Sequence, residues 1–152
     1  MGDSFSAGPG AGKEYDPNRK SGKCMRRDQA YGPTLQRDAG MIGPEGPGLG
    51  KPVFRFSSCT GHTTENLLDF TDPVNNQENQ VHDDTTFVTL SIGGNNVLFA
   101  DVLEICIYRG AIRDIEGKCS EKKIEAYTQM FGKDFHRRYN KVLDLLVTEK
   151  FA

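Results

Sequence analysis

The chain has 152 residues and a formal net charge of −2, with acidic and basic residues interspersed along it. This length fits one domain with a sizeable core, and the near-neutral charge excludes the strong field that attracts nucleic acid. No apolar run approaches the roughly 20 residues that span a bilayer, so neither a nucleic-acid partner nor a membrane span is expected.

The first segment, GDSFSAG, places Ser4 among small residues. Nucleophilic serines are usually presented where a strand turns sharply into a helix. Residues 8–23 and 40–52 are predicted to be loops, because they are dense in Gly and Pro and lack apolar periodicity. Between them, DQAYGPTLQRD has a helix start signal, but its Gly-Pro pair predicts a break.

Two later segments are predicted to be strands. PVFRFSSC, at 52–59, is rich in β-formers and runs into a turn, after which Thr63 or Thr64 caps a short helix. TTFVTLSIGG, at 85–94, has apolar residues on both faces, which is typical of a parallel strand that is covered on both sides.

The C-terminal half is predicted to be helical. Asn95 or Asn96 caps a helix in NNVLFADVLEICIYRG, and apolar residues at steps of three or four predict one long amphipathic helix from Ser120 to Leu146, bent near Gly132. The order of strand, turn and helix, repeated, indicates a parallel sheet with helices on its faces.

Four cysteines permit three pairings. Cys106 and Cys119 flank a short polar segment that suits a local cross-link, which leaves Cys24 and Cys59 for each other. Four free buried thiols are the alternative. A metal site on Cys59-x-x-His62 is a weaker alternative, because structural zinc sites usually have two close ligand pairs. Two disulfides would indicate an oxidising compartment.

Three short motifs follow the predicted strand ends: GDS with Ser4, CTG with Gly61, and GGNN with Asn95. In an open α/β sheet, ligands bind at the carboxyl ends of the strands. Acyl transfer needs a nucleophilic hydroxyl and hydrogen-bond donors aimed at the oxyanion. A serine, a glycine N–H and an asparagine amide provide this set, although each motif alone is also an ordinary turn or cap.

The three motifs together, GDSFSAG, SSCTGHTTENL and TLSIGGNN, resemble blocks one to three of the GDSL or SGNH hydrolases. CMRRDQAY before the glycine turn, and the later cysteine pair, are similar to the secreted, disulfide-bearing esterase and lipase branch. The resemblance implies that Ser4 is the nucleophile and that its N–H, the Gly61 N–H and the Asn95 side chain donate to the oxyanion. It also implies that Gly93 makes room for Asn95.

The sequence departs from this family pattern in two places. The family carries its catalytic base in an Asp-x-x-His segment, and neither His62, His82 nor His136 has that spacing. Asn96 stands where the family commonly has aspartate. Both ends are also short, without the strand before Gly2 and the segments after the last helix, so the chain is expected to be a fragment that is inactive by itself.

The resemblance therefore implies an α/β, three-layer αβα domain of the SGNH type, with a parallel flavodoxin-like sheet, over residues 1–152 and incomplete at both ends. The expected parent protein is a secreted serine ester hydrolase, monomeric when full length, that acts on small-molecule or lipid esters and uses no metal or organic cofactor. Two alternatives remain: a non-catalytic secreted binding module on the same fold, and a small cytosolic protein with accidental motifs.

Overall fold

The computed structural model describes residues 1–15, 22–38, 53–69, 71, 76–77, 79, 81–109 and 117–149. The chain divides into two compact units, one of Met1–His62 with Phe70–Ser91 and the other of Thr63–Asp69 with Ile92–Ala152. The predicted loop 40–52, and 16–21 of the predicted loop 8–23, lie outside the described residues.

The first unit contains two short α-helices, α1 (Ser4–Ala7) and α2 (Tyr31–Arg37), and a 3₁₀ turn at Gly22–Cys24. The break predicted at the Gly-Pro pair is wrong, because Gly32 and Pro33 lie inside α2. They occupy its first turn, where a backbone N–H has no partner within the helix, so proline costs little there.

The predicted parallel sheet is the main correction to the sequence prediction. The described residues contain no β-strand, and an αβα fold with a flavodoxin-like sheet of the SGNH type is therefore wrong for them. Backbone pairing is limited to isolated bridges, of which the parallel one joins Gly2 to Ser91. The apolar pattern of 85–94 does not correspond to burial on two faces, since Phe87 is 76% exposed.

The hydrogen bonds around Gly2 differ between its two sides. On one side, the N–H of Asp3 donates to the Ser91 carbonyl at 2.8 Å. On the other, the buried side-chain amide of Gln77 binds both the N–H and the carbonyl of Gly2. A side chain thus occupies backbone groups that a second strand would use, and after Asp3 the chain turns at once into α1.

The second unit begins with α3 (Thr64–Leu68), capped at Thr63 as predicted, where the Asn66 side chain accepts the Thr63 N–H at 2.8 Å. A 3₁₀ turn at Asn95–Val97 leads into α4 (Phe99–Leu103) and then a π-helical segment, Glu104–Arg109. Leu98, in the left-handed region with φ 60°, precedes α4 in place of the predicted asparagine cap.

The predicted long C-terminal helix is two helices, α5 (Lys118–Met130) and α6 (Lys133–Asp144), followed by a π-helical turn at Leu145–Glu149. The chain breaks at Gly132, whose ψ of 141° is extended, so the predicted bend is at the right residue but is a complete interruption. None of the helices in the described ranges is long and apolar enough to cross a membrane.

Helices α3 and α6 pack together within the second unit. Leu67 of α3 is 1% exposed, as is Val142 of α6, and Glu65 pairs with Arg138 at 2.7 Å at the edge of this contact. The apolar faces of these two helices thus meet, as their 3.6-residue periodicity requires.

Candidate active site

Ser4 is the first residue of α1 and is half-buried. Asp3, with extended backbone, caps the helix because its carboxylate accepts the Phe5 N–H at 3.1 Å. At the other end, Gly8 adopts φ 74° and its N–H donates to the Ser4 carbonyl at 2.9 Å. An extended residue followed at once by a helical turn is the backbone arrangement that presents a nucleophilic hydroxyl.

The residues just before Ser4 are buried and tightly held. Gly2 has φ 132°, and a Cβ there would lie 2.0 Å from the Ser91 carbonyl oxygen. The buried carboxylate of Asp3 also accepts the Ser91 hydroxyl at 3.3 Å. The position of the Ser4 backbone is therefore determined by contacts with residues nearly 90 positions away in the sequence.

Gly61 lies in an exposed turn of the same unit, with φ 85° and no atom within 4 Å of a Cβ built on it. The turn is closed by the His62 N–H donating to the Cys59 carbonyl at 3.1 Å. Cys59 in turn donates its N–H to the Gly2 carbonyl at 2.9 Å, so the Gly61 turn is connected to the segment that carries Ser4. The structure thus brings the segments of these two predicted site residues together.

The Cys24–Cys59 disulfide anchors the Gly61 turn from its other side. Both cysteines are buried, and the Thr60 N–H donates to the Cys24 carbonyl at 3.1 Å. The second disulfide, Cys106–Cys119, joins the π-helical segment to the start of α5 in the other unit. Both pairings match those expected from the sequence, and the chain has no free cysteine.

His62 follows Gly61 and is held by Gln77. The Gln77 Nε2 and His62 Nδ1 atoms are 3.0 Å apart, and because an amide nitrogen can only donate, Nδ1 is the acceptor. The tautomer that fits this contact carries its proton on Nε2. With one nitrogen engaged as acceptor and the other protonated, the ring in this arrangement is not set up as a general base.

The alternative of a metal site at Cys59-x-x-His62 has a structural counterpart. The sulfurs of Cys24 and Cys59 and a ring nitrogen of His62 lie within 4.8 Å of one another. The two sulfurs are joined in the disulfide, however, and metals bind cysteine as thiolate. In its oxidised form this cluster is therefore a cross-link beside a histidine.

Asn95 belongs to the other unit, where it begins the 3₁₀ turn and is half-buried. Gly93, two residues earlier, is buried with φ 111°, and a Cβ there would lie 3.0 Å from the Phe135 ring. Glycine is thus required at 93 by both backbone conformation and close packing. The group that a side chain at 93 would meet is Phe135, and the role towards Asn95 that the resemblance implies stays a prediction.

Asn96, where the sequence departs from the family pattern, has a clear structural role. Its Oδ1 accepts the Thr64 N–H at 2.9 Å, and its Nδ2 donates to Thr64 Oγ1 at 3.0 Å and to a Glu65 carboxylate oxygen at 2.8 Å. An aspartate could not donate to Glu65. The asparagine at 96 is therefore matched to the glutamate at 65.

The protonation of Glu65 reflects these contacts. Partial burial raises the pKa of this carboxyl, but hydrogen bonds from its own backbone N–H and from Asn96, Thr63 and Thr64 together bring the pKa below its ordinary value of 4.5. Glu65 is thus ionised at neutral pH, as its pairing with Arg138 requires.

Sequence reasoning missed Gln77 and Asp3 as parts of the site. Asp3 carried a signal, because aspartate before a short helix is a common N-cap. Gln77 carried none. It stands in a polar stretch without periodicity, and only its burial, 0% exposed, and its contacts with Gly2 and His62 distinguish it.

Two curated proteins are similar in sequence. A protein named Lipase from Streptomyces rimosus is 34% identical over 131 residues, which are 85% of this chain and 40% of the relative. Lipase 1 of Streptomyces coelicolor is 33% identical over 107 residues, or 70% of this chain and 33% of the relative. The chain therefore spans at most two fifths of the length of either relative. No protein-family model matches it.

One solved structure is also similar. The crystal structure of an extracellular lipase from Streptomyces rimosus superposes with a TM-score of 0.70 at 25% identity. The match covers 95% of this chain and 51% of that protein. The backbone similarity thus extends over nearly the whole chain, even though its described residues contain no strand.

Proposed function

Because the chain belongs to the SGNH/GDSL family of esterases and lipases, we propose that the protein is a serine hydrolase of carboxylic esters, including lipid esters. The observation that carries the proposal is the order of GDS, CTG and GGNN in a chain that is 34% identical to a lipase over 85% of its length. Its substrate is a lipid or small-molecule ester.

The proposed site residues divide into a nucleophile, oxyanion donors and a supporting glycine. Ser4 Oγ attacks the ester carbonyl, and the Ser4 and Gly61 N–H groups and the Asn95 side-chain amide donate to the oxyanion of the tetrahedral intermediate. Gly93 supports Asn95. The capped turn at Ser4, and the bond between Cys59 and Gly2 that links the Gly61 turn to it, support the first two assignments. The assignment of Asn95 is supported by its motif.

We also propose that the protein is secreted. Two disulfides and no free cysteine suit an oxidising compartment, and the similar solved structure is of a lipase described as extracellular.

The catalytic base is the remaining requirement. No Asp-x-x-His segment stands in these 152 residues, and His62 is engaged with Gln77 through Nδ1. Loss of the triad histidine from a related mechanism costs about a millionfold in turnover. The 152-residue chain by itself is therefore expected to hydrolyse esters negligibly, with a residual rate about a thousandfold over water if the oxyanion donors are in place.

The test is hydrolysis of p-nitrophenyl esters by the 152-residue chain and by a longer form that includes an Asp-x-x-His segment, each beside its Ser4→Ala variant. The longer form should turn over, and Ser4→Ala should abolish that activity. A longer form that binds esters without hydrolysing them would favour the binding-module alternative. Turnover by the short chain that disappears in Ser4→Ala would place a base within these residues.

A further inference from the structure

The side chain of Gln77 takes the place of a neighbouring β-strand at Gly2. Its Oε1 accepts the Gly2 N–H at 2.6 Å and its Nε2 donates to the Gly2 carbonyl at 2.7 Å. These are the two groups that one residue presents to a parallel neighbour. The contact joins residues 75 positions apart.

The orientation of this amide is determined by its partners. Gly2 N–H can only donate, so the atom that faces it must be Oε1, and Nε2 must then face the Gly2 carbonyl. The second hydrogen on Nε2 points to His62 Nδ1 at 3.0 Å. Both amide hydrogens are therefore used, and the side chain is 0% exposed. A buried, hydrogen-bonded amide of this kind has one orientation.

Gly2 is where this restraint acts on the reactive residue. It lies two residues before Ser4, and its carbonyl also accepts the Cys59 N–H, from the turn that leads to Gly61. The Gln77 amide thus holds the point at which the Ser4 segment and the Gly61 turn are joined. Both proposed elements of the site depend on the position of this one residue.

We propose that Gln77 is a positioning residue for ester hydrolysis, which fixes Gly2 and through it the Ser4 hydroxyl relative to the Gly61 N–H. The proposal rests on the function proposed above. Gln77 touches neither substrate nor reacting atoms. It acts through Gly2, and its loss should reduce turnover while leaving substrate binding unchanged, because a misplacement of about 1 Å can cost about a hundredfold in rate.

The experiment compares Gln77→Met with Val81→Ala in the longer form that includes an Asp-x-x-His segment. Methionine fills the glutamine volume but makes neither hydrogen bond with Gly2. Val81 is a buried residue of the same unit, 6% exposed, so its truncation provides a matched loss of packing. Gln77→Glu is the second variant, because it keeps the size and an acceptor for the Gly2 N–H but loses the donor to the Gly2 carbonyl.

The readouts are kcat and KM for a p-nitrophenyl ester, and the thermal midpoint of each variant. Both Gln77 variants should lose about 10- to 100-fold in kcat with KM within about twofold of the parent, whereas Val81→Ala should lower the thermal midpoint and keep kcat. The inference is overturned if the Gln77 variants lose no more kcat than Val81→Ala, or if the loss appears in KM.

A Ser4→Ala arm separates this inference from the function on which it rests. If Ser4→Ala keeps its activity, the proposed nucleophile is wrong and the positioning role falls with it. If Ser4→Ala is inactive but the Gln77 variants behave like Val81→Ala, the nucleophile stands and only the role of Gln77 is refuted.

Discussion

Replacing Gly2 by alanine should destabilise the protein more than replacing a glycine that also has a positive φ but has open space around it. Gly2 has φ 132°, and the new Cβ would lie 2.0 Å from the Ser91 carbonyl oxygen and 2.5 Å from Ser6 Oγ. A Cβ and a carbonyl oxygen that are not bonded cannot approach that closely, so Gly2 and Ser91 must separate. The hydrogen bond from the Asp3 N–H to Ser91, 2.8 Å long, is then lost.

The magnitude follows from two terms. A non-glycine residue held in this backbone region costs about 1 to 3 kcal/mol, and the lost hydrogen bond adds about 1 kcal/mol. The expected loss in the free energy of unfolding for Gly2→Ala is therefore about 3 kcal/mol. Gly10 is the matched control, because it has φ 86° but nothing within 4 Å of its Cβ. Gly10→Ala should cost only about 1 to 2 kcal/mol.

Urea unfolding followed by far-ultraviolet circular dichroism measures both variants, since the chain has no tryptophan for fluorescence. The slope against urea should be unchanged, so that a shift in the midpoint reports stability. If Gly2→Ala loses no more free energy of unfolding than Gly10→Ala, the close approach of Gly2 to Ser91 is not a feature of the folded protein.

Three further predictions concern cross-links and charges. Replacing Cys24 and Cys59 by alanine should cost about 4 kcal/mol in unfolding free energy, and replacing Cys106 and Cys119 about 3 kcal/mol, because the two disulfides close loops with sequence separations of 35 and 13. Urea unfolding should show this order, and the reverse order would contradict the loop-length argument. Asn96→Asp should lower the free energy of unfolding by about 1 kcal/mol at neutral pH, because two carboxylates then lie side by side in place of the 2.8 Å hydrogen bond to Glu65. The loss should become smaller in acid, and a loss independent of pH would rule out repulsion between the carboxylates. The pKa of Glu65 is lowered in the folded state, so its contribution to the free energy of unfolding is present above the ordinary pKa of 4.5 and is lost as the pH falls through the folded pKa. The thermal midpoint of Glu65→Gln should therefore depend less on pH across this range than that of the parent. Midpoints of the two proteins that change in parallel with pH would refute this prediction.

Local features of this chain were predictable from neighbouring residues. Thr63 caps α3, and the C-terminal helical pattern is interrupted at Gly132, because capping and helix breaking depend on groups within one turn of the backbone. The two disulfides also agree with the prediction. The break expected at Gly32 and Pro33 was wrong because the same residues are tolerated in a first turn, and only the true helix start shows that they lie there.

The predicted strands are wrong for a different reason. Apolar residues in 85–94 satisfy a strand pattern, but a strand exists only when successive backbone groups find partners on another segment. Here residues 1–3 bond to Thr89 and Ser91 around a single parallel bridge. The other side of Gly2 is occupied by the Gln77 amide. No pattern within either segment records which partner is present.

The sequence by itself therefore identified the family and the residues proposed to do its chemistry, since GDS, CTG and GGNN are short, ordered motifs that can be read without coordinates. The tertiary structure alone decided that Gln77 holds Gly2 and orients His62, and that Asn96 is matched to Glu65. These contacts join residues 15 to 75 positions apart. A hydrogen bond between distant residues depends on where the fold places both partners, and a buried polar side chain acquires its role only from the groups it meets there.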